Sequence, residues 1–490
     1  MTQTTLSNWR GIWHSVVVDA RDELIAELRA TIAQLTAELA AARAEIAALK
    51  EELGKSSKNS SKPPSSDGPA ARAERKKKSP SGRKPGGQPG HEGHGRTLVP
   101  PEKVTQRIVC KPDLCATCAV QLHGEDPEPL RHQVFRLPKV EPLVDEYELH
   151  ALTCPRGHVT RAELPADVPR RAFGPSVDAA VATLLTVYRM SRRMVPDFMQ
   201  DFFGLSMCPG SVVKCQQAVS SAIAEPVEKA HAEAKVAGVK YCDETGWREG
   251  HSKAFLWTVV TATLTVFVIQ ARRTRDAAKI ALGAAVVGLL GTDRHGAYNH
   301  WPDVLRQFCW AHLTRAFLAI ASRGGASERV GTALLAEKDQ MFAWWHRVRD
   351  GTLSHATFRR YMKRLQDRVW YLLQDGARTC ANTKTGRTCQ KLLDHFDALW
   401  TFVYREGIEP TNNGAERALR HAVILRKLCY GSHSSHGSRF TERMLTVHAT
   451  LHQQGRSVLG FLTDACIAAL HRTEPPSLIS AASPVQSPPA

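Results

Sequence analysis

The sequence predicts an α/β protein: a mixed sheet with helices on both faces, split by a helical insertion and preceded by smaller N-terminal modules. Three observations carry this. Segments rich in Val, Thr, Phe and Trp recur at strand length between residues 239 and 290. Helical spacing of apolar residues lies on either side of them. Ahead of them stand a heptad seam, a basic low-complexity stretch and two closely spaced pairs of metal-ligand residues.

At 490 residues the chain is too long for one ordinary domain. With 43% hydrophobic and 23% charged residues it has a globular composition, which excludes a disulfide-stapled mini-protein, a collagen-like fibre and a membrane-spanning protein. The formal net charge of +17 implies a polyanionic partner, nucleic acid first and a membrane surface second. Met1–Ala20 lacks the pattern of a secretory signal, and no run reaches the ~18 apolar residues a bilayer span needs. The expected location is cytoplasmic, on the nucleoid when bound to DNA, with the 12 cysteines reduced. Cys208, Cys215, Cys380, Cys389 and Cys466 lack partner spacing and read as ordinary thiols.

Residues 1–53 hold the first element. Ile25, Leu28, Ile32, Leu35, Leu39, Ala42, Ile46, Leu49 and Leu53 keep 3-4-3-4 spacing, the a/d seam of a dimeric coiled coil over about 22–53. Glu38 would face Arg43, and Glu45 would face Lys50, of a second copy. Gly54 ends the helix. Residues 54–107 form a basic linker with 13 Lys or Arg against 4 Asp or Glu, so a net +9 of the chain's +17 lies there. Lys76, Lys77, Lys78, Arg83 and Lys84 are its candidate phosphate contacts. It has too few apolar groups to offset the entropy of ordering.

Residues 108–162 read as a zinc ribbon. Cys115 and Cys118 form one pair, Cys154 and His158 the other, with strands expected around Gln133–Phe135 and Glu146–Leu152. Cys110 is an alternative ligand; His123 and His150 lack the spacing. Residues 163–234 are helical. Within them Arg192–Phe203, a Gly204 turn and Pro209–Ile223 resemble a helix-turn-helix, with Arg192 and Arg193 as candidate DNA contacts. Plain helix packing is the alternative.

Residues 235–326 begin the sheet. A short strand Val239–Cys242 ends at Asp243, paired strands follow at Ala254–Ala262 and Leu264–Ile269, and Thr274–Leu282 is helical. Val286–Leu290 is a buried strand leading to Asp293, and Gln307–Trp310 suggests another before a helix. This order is that of a ribonuclease-H-like fold. Residues 327–406 form a helical insertion rich in Trp, Leu and Arg; 407–473 complete the core, and 474–490 read as a disordered tail.

Asp243 and Asp293 close two expected neighbouring strands, where ligands of α/β sheets bind. Converging carboxylates repel unless a cation neutralises them, and Mg²⁺ suits hard oxygen donors. A third carboxylate would complete a two-metal site for phosphodiester chemistry. Glu416 is the candidate; Glu244, Asp303 and Glu406 are rivals. Glu416 also stands three residues after Asn413, the spacing of a capping box, and four before Arg420, the spacing of a helix ion pair.

Several motifs stand in order over about residues 50–470. They are Ser60-Ser-Lys-Pro-Pro-Ser-Ser-Asp-Gly68, Gly86-Gly-Gln-Pro-Gly-His-Glu-Gly-His-Gly-Arg96, Asp243-Glu-Thr245, Asp293 with Gly296-Ala-Tyr298, Cys309-Trp-Ala-His312, Asn413-Gly-Ala-Glu416-Arg417, and Arg426-Lys427 with Gly431-Ser432. On these the chain resembles the insertion-sequence family sixty-six transposases, the large DDE subunit of that element. The resemblance implies an Asp243, Asp293, Glu416 triad, a zinc-binding segment and action on DNA. Two departures stand out: Asp293-Arg-His replaces the usual Asp-Gly, and the first cysteine pair lacks its following glycine.

The sequence reading is thus a DNA transposase that cleaves element ends and transfers 3′-hydroxyls to target DNA. It would use Mg²⁺ or Mn²⁺ for catalysis and a structural Zn²⁺. Its partners would be double-stranded DNA, a second copy of the chain and accessory proteins encoded by the element, with no membrane. Arg417, Arg420, Arg426, Lys427 and Arg439 would hold the cut strand, and His312 either packs or orients a phosphate. The alternatives are a zinc-containing DNA-binding regulator with an inactive sheet, and a metal nuclease without strand transfer.

Overall fold

The computed structural model describes residues 24–43, 45–46, 49, 52–53, 55–56, 59–60 and 96–480. Among these, residues 24–43, 45–46, 49 and 52–53 are helical, as the heptad predicts. The seam is bare, with Ile25 37% and Leu53 88% exposed. The candidates Lys76, Lys77, Lys78, Arg83 and Lys84 lie outside the described residues.

The chain divides into two compact units, Met1–Arg72 with Arg171–Arg189 and Cys215–Ala490, and Ala73–Arg170 with Met190–Lys214. The helical region expected at 163–234 is therefore shared between them. The reason is local: helix α1 (Pro175–Thr186) turns Ala179, Val181, Ala182 and Leu184 into the larger unit's core, and Arg171 pairs with buried Asp178 there.

In the second unit, none of residues 96–170 is buried. Order comes from polar ties, such as Gln133, whose side chain exchanges hydrogen bonds of 2.8 and 2.9 Å with the Val99 backbone. The expected strand at Gln133–Phe135 is coil, and the strand expected at Glu146–Leu152 starts late. The hairpin is instead β1 (Ala151–Thr153) paired antiparallel with β2 (Val159–Arg161), so Cys154 and His158 occupy its loop. Helix α2 (Met194–Phe203) stops at Gly204, whose φ of 66° is left-handed, and α3 (Pro209–Ala222) follows.

The larger unit is organised by a five-stranded mixed sheet, preceded by α4 (Ala224–Val236). The strands are β3 (Val239–Glu249), β4 (Ser252–Val260), β5 (Thr265–Gln270), β6 (Leu289–Thr292) and β7 (Arg306–Phe308). Their order is β5-β4-β3-β6-β7. The first three run antiparallel; α5 (Arg275–Leu282) carries the crossover that returns β6 parallel to β3, and β7 follows parallel to β6. β3 is far longer than expected. It pairs with β6 only as far as Tyr241 but with β4 as far as Glu249, through a tight turn where Gly250 takes a φ of 57°.

Helices α6 (Trp310–Ala321), α7 (Gly325–Arg349), α8 (His355–Thr379), α9 (Lys384–Asp394) and α10 (Thr401–Tyr404) form the insertion and its entry. Their core of Trp345, Phe358, Met362, Leu365 and Phe402 is continuous with Phe308 and Trp310 beside the sheet. Helices α11 (Asn413–Cys429) and α12 (Ser435–Gln453) then cover β3–β5, packing Leu419, Ala422, Leu425 and Leu445 on Trp247, Leu256, Phe267 and Ile269. Each such leucine, isoleucine or phenylalanine burial stabilises by about 1.5–3 kcal/mol. Between them, Gly431 has a φ of 120° and a side chain there would overlap the Arg248 carbonyl, which accepts from Ser432 N at 2.9 Å.

Helix α12 also completes the outer edge of the sheet. Thr265 N donates to Thr450 Oγ1 (3.1 Å), Phe267 N to Thr446 Oγ1 (3.0 Å) and Ile269 N to Glu442. The match is geometric: four helical residues advance ~6 Å, and two strand residues ~6.6 Å. Burial raises the Glu442 carboxyl to about 7. At the other edge, Thr401 Oγ1 donates to Arg306 O (2.6 Å), and Phe402 N to Gln307 Oε1 (2.9 Å). Helix α13 (Val458–His471) closes the fold. Residues 474–480 depart from the expected disordered tail, because Leu478 is fully buried and its carbonyl accepts from Gln454 Nε2 at 2.8 Å.

Candidate active site

Asp243 and Asp293 meet because of register. Tyr241 and Gly291 are the last paired positions of β3 and β6, and each aspartate stands two residues beyond. Asp243 is therefore not the end of its strand, as expected, but the point where β3 loses its parallel neighbour. Asp293 does follow the end of β6. Burial first, then the charges of Glu244, Asp293 and Glu416, raise the Asp243 carboxyl to about 8.

Glu244, a rival for the metal, is otherwise engaged. Its side chain is fully buried, paired with Arg273, and accepts from the Tyr298 hydroxyl. Burial and the Asp293 charge raise its pKa, while Tyr298 and Arg273 oppose this. Arg273 also lies 3.5 Å from Asp293 Oδ2. Asp303 is paired with His395 at 3.0 Å, and Glu406 is exposed on a loop.

The turn after Asp293 is held from behind by Arg306, which is wholly buried. Its guanidinium donates to Thr292 Oγ1 (3.0 Å), Asn299 Oδ1 (3.0 Å), Asp293 O (2.9 Å) and His295 O (3.4 Å). Asp293 Oδ1 accepts from His295 N at 2.8 Å. Neither Arg294 nor His295 takes a positive φ, so the turn does not require glycine. Burial lowers the Arg306 pKa to about 10, against the attraction of Asp293.

Glu416 sits in the first turn of α11. The expected capping box with Asn413 does not form, because the N-cap is Asn412, whose side chain makes no cap. Asn412 instead ties the site together: Nδ2 donates to Cys242 O (2.8 Å), and its backbone N–H points to Cys309 Sγ (3.2 Å). Glu416 does not pair with Arg420 but with Arg315 (3.1 Å), and it lies 3.5 Å from His312 Nδ1. Burial lowers the His312 pKa, so its imidazole is neutral near pH 7. Arg273, Arg306, Arg315, Tyr298 and Asn412 were not singled out by sequence reasoning as contributors to this site. Tyr298 was quoted within a motif but given no role, and Arg273, Arg315 and Asn412 reach residues 29, 101 and 170 positions away.

The hard oxygens of Asp243, Asp293 and Glu416 are of the kind that suits a divalent cation, burial and then neighbouring charge raise the Asp243 pKa, and the three carboxylates are not all within 4.8 Å of one another. In the second unit the cysteine pairs are each preorganised. Hydrogen bonds from the Cys118 and Thr117 amides lower the Cys115 pKa, and Cys154 Sγ lies 3.6 Å from His158 Nδ1. That separation suits one tetrahedral zinc, for which Zn–S ~2.3 Å and Zn–N ~2.0 Å give an edge of about 3.5 Å. The two pairs are not gathered into one cluster. Among the described residues the group of three or more potential ligands within 4.8 Å of one another is Cys309, His312 and Glu416.

Of the DNA-contact candidates, Arg192 and Arg193 are exposed at the start of α2, and Arg417, Arg420 and Lys427 are exposed on α11. Arg426 is occupied by Thr245 Oγ1 (3.0 Å) and the Gly246 carbonyl, and Arg439 by Glu442 (3.0 Å). No helix of the described residues is long and apolar enough to cross a membrane.

A family model described as Transposase IS66 family matches residues 170–439. A second, described as Family of unknown function (DUF6444), matches residues 18–97. No curated protein matches the chain.

Proposed function

The chain belongs to the Transposase IS66 family, and from that premise we propose that it cuts DNA at the ends of an insertion element and joins the freed 3′-hydroxyls to target DNA. In this reading the sheet is ribonuclease-H-like, and Asp243, Asp293 and Glu416 form the DDE triad. The observation that carries it is electrostatic. Burial first, and then the charges of neighbouring carboxylates on β3, at the end of β6 and in the first turn of α11, lift Asp243 to about 8. An antiparallel three-stranded half joined by a helical crossover to two parallel strands supports the fold assignment.

Mg²⁺ or Mn²⁺ ions held by the three carboxylates would activate the attacking oxygen and stabilise the leaving one. The chain's own residues do the rest. Arg273 and Tyr298 engage Glu244, and Arg273 also reaches Asp293, which leaves Asp243 without a cationic partner of its own among the described residues. Arg306 fixes the Asp293 turn. Arg417, Arg420 and Lys427 recur at helical spacing on the exposed side of α11, beginning one residue after Glu416, and would grip the cut strand's phosphates. The nucleophile is water and then the strand's own 3′-oxygen, so no covalent protein–DNA intermediate forms. Cys115, Cys118, Cys154 and His158 would hold a structural zinc. The bare Ile25–Leu53 seam would pair two copies, and with them two element ends. Accessory proteins of the element are further partners in this scheme.

Asp243→Asn, Asp293→Asn and Glu416→Gln should each lower Mg²⁺-dependent cleavage of end-containing DNA by at least about 10²–10³-fold. Cleavage at the wild-type rate by these variants would defeat the triad. A pre-cut end incubated with circular target should give a joined product; nicking without joining would indicate a nuclease.

A further inference from the structure

Cys309, His312 and Glu416 form a second metal-ligand set that shares one residue with the triad. Their ligand atoms lie within 4.8 Å of one another. Cys309 is the N-cap of α6, His312 stands in its first turn, and Glu416 stands in the first turn of α11. The His312 Nδ1 atom is buried with no hydrogen-bond partner, yet it is 3.5 Å from Glu416 Oε1, about the edge of a tetrahedral coordination shell. Cys309 Sγ accepts the Asn412 amide at 3.2 Å at the N-terminus of α6, contacts that would support a thiolate once a cation is bound, while burial keeps the metal-free group a thiol.

We propose that these three residues bind a thiophilic divalent cation of the Zn²⁺ or Co²⁺ class, and that binding there withdraws Glu416 from the triad. One sulfur, one imidazole nitrogen and one carboxylate suit such an ion and are poor for Mg²⁺, which prefers oxygen. The Cys309 thiol releases its proton to solvent on binding, so affinity rises with pH. Binding through Nδ1 places the imidazole proton on Nε2. Arg315 Nη2, now 3.4 Å from Nε2 and 3.1 Å from Glu416 Oε1, must then leave the imidazole. The site thus exchanges between an arginine-held and a metal-held state. The consequence for catalysis rests on the assignment of Glu416 to the triad; the binding itself does not.

The test uses the chelator-treated full chain. In a Cys115→Ser/Cys118→Ser background, which disables the N-terminal zinc candidate, Co²⁺ should give a thiolate-to-cobalt charge-transfer band. Adding Cys309→Ser should abolish that band, and His312→Gln should weaken binding beyond the roughly 10–100-fold expected from loss of a mere supporting group. Arg315→Gln should tighten it. A band that is absent from the background, or that survives Cys309→Ser unchanged, overturns the site. In a second arm, Zn²⁺ is titrated into Mg²⁺-supported DNA cleavage, each variant scaled to its own activity. Cys309→Ser should need at least about tenfold more Zn²⁺ for half-inhibition; an unshifted curve overturns the withdrawal of Glu416. Should the wild type cleave no DNA, the transposase reading fails while the cobalt result still decides the site.

Discussion

Around Asp243 the chain buries its charges and gives each a partner: Glu244 has Arg273 and Tyr298, and Arg306 has four acceptors behind Asp293. Across residues 96–170 it buries nothing, and Cys154 and His158 face each other across a hairpin of three residues a side. The first region is positioned by a hydrophobic core and spends that rigidity on holding like charges together. The second buries no residue between 96 and 170 and is held by polar ties such as Gln133 to Val99, to which the proposed zinc would add a crosslink. A core-positioned set of charges and a module without a core thus stand in one chain, and the contrast can be broken from either side.

The largest effect should come from metal removal. Chelation, or Cys154→Ser, should erase hydrogen-exchange protection in the Ala151–Arg161 hairpin while the β3–β5 amides keep theirs. Equal loss in both would show that the hairpin is not built by metal. Next, Arg306→Met should cost roughly 3–5 kcal/mol in urea unfolding, because it strands buried acceptors; a near-neutral result would mean that the Asp293 turn holds itself. Thr446→Val leaves the Phe267 N–H without its acceptor and should cost about 1–3 kcal/mol by the same measurement.

The smallest effect concerns pH. The Asp243 pKa is raised from 3.8 to about 8, so the folded state holds a proton that the unfolded chain has given up. Between those values the metal-free protein loses stability as pH rises. Asp243→Asn should therefore raise the metal-free Tm at pH 8, by about 2–4 °C for each kcal/mol relieved, and not near pH 4. Saturating Mg²⁺ should remove the advantage. A variant that melts below wild type at pH 8 would show that the repulsion is not felt.

The sequence made some of this legible and hid the rest for physical reasons. Asp293 was readable as a strand end, but its strand is Leu289–Thr292 and not Val286–Leu290, since Val286 is exposed and Gly288 turns at a φ of 71°. Asp243 was readable as a residue, but its strand was not, since the polar half of β3 is stabilised by pairing with β4 rather than by its own pattern. Glu416 was placed in a first turn correctly, with the wrong cap; Asn412 is instead spent on Cys242 and Cys309. Arg273, Arg306 and Arg315 carry no local signature. Arg315 meets Glu416 across 101 positions, and only the assembled sheet brings such residues together. In the cysteine module the closeness of Cys154 and His158 was visible from spacing, while the strands were misplaced because no hydrophobic alternation fixes them.

The rungs from α12 to β5 have a consequence for how copies of this protein can assemble. An unpaired strand edge invites a strand from another molecule. Here the amides of Thr265, Phe267 and Ile269 are already taken by a helix, and Thr401 and Phe402 occupy the three-residue β7 on the far side. Among the described residues these contacts occupy three amides of β5 and one carbonyl of β7. A strand from another copy would have to displace them before it could extend this sheet, which guards the domain against edge-to-edge stacking when copies crowd.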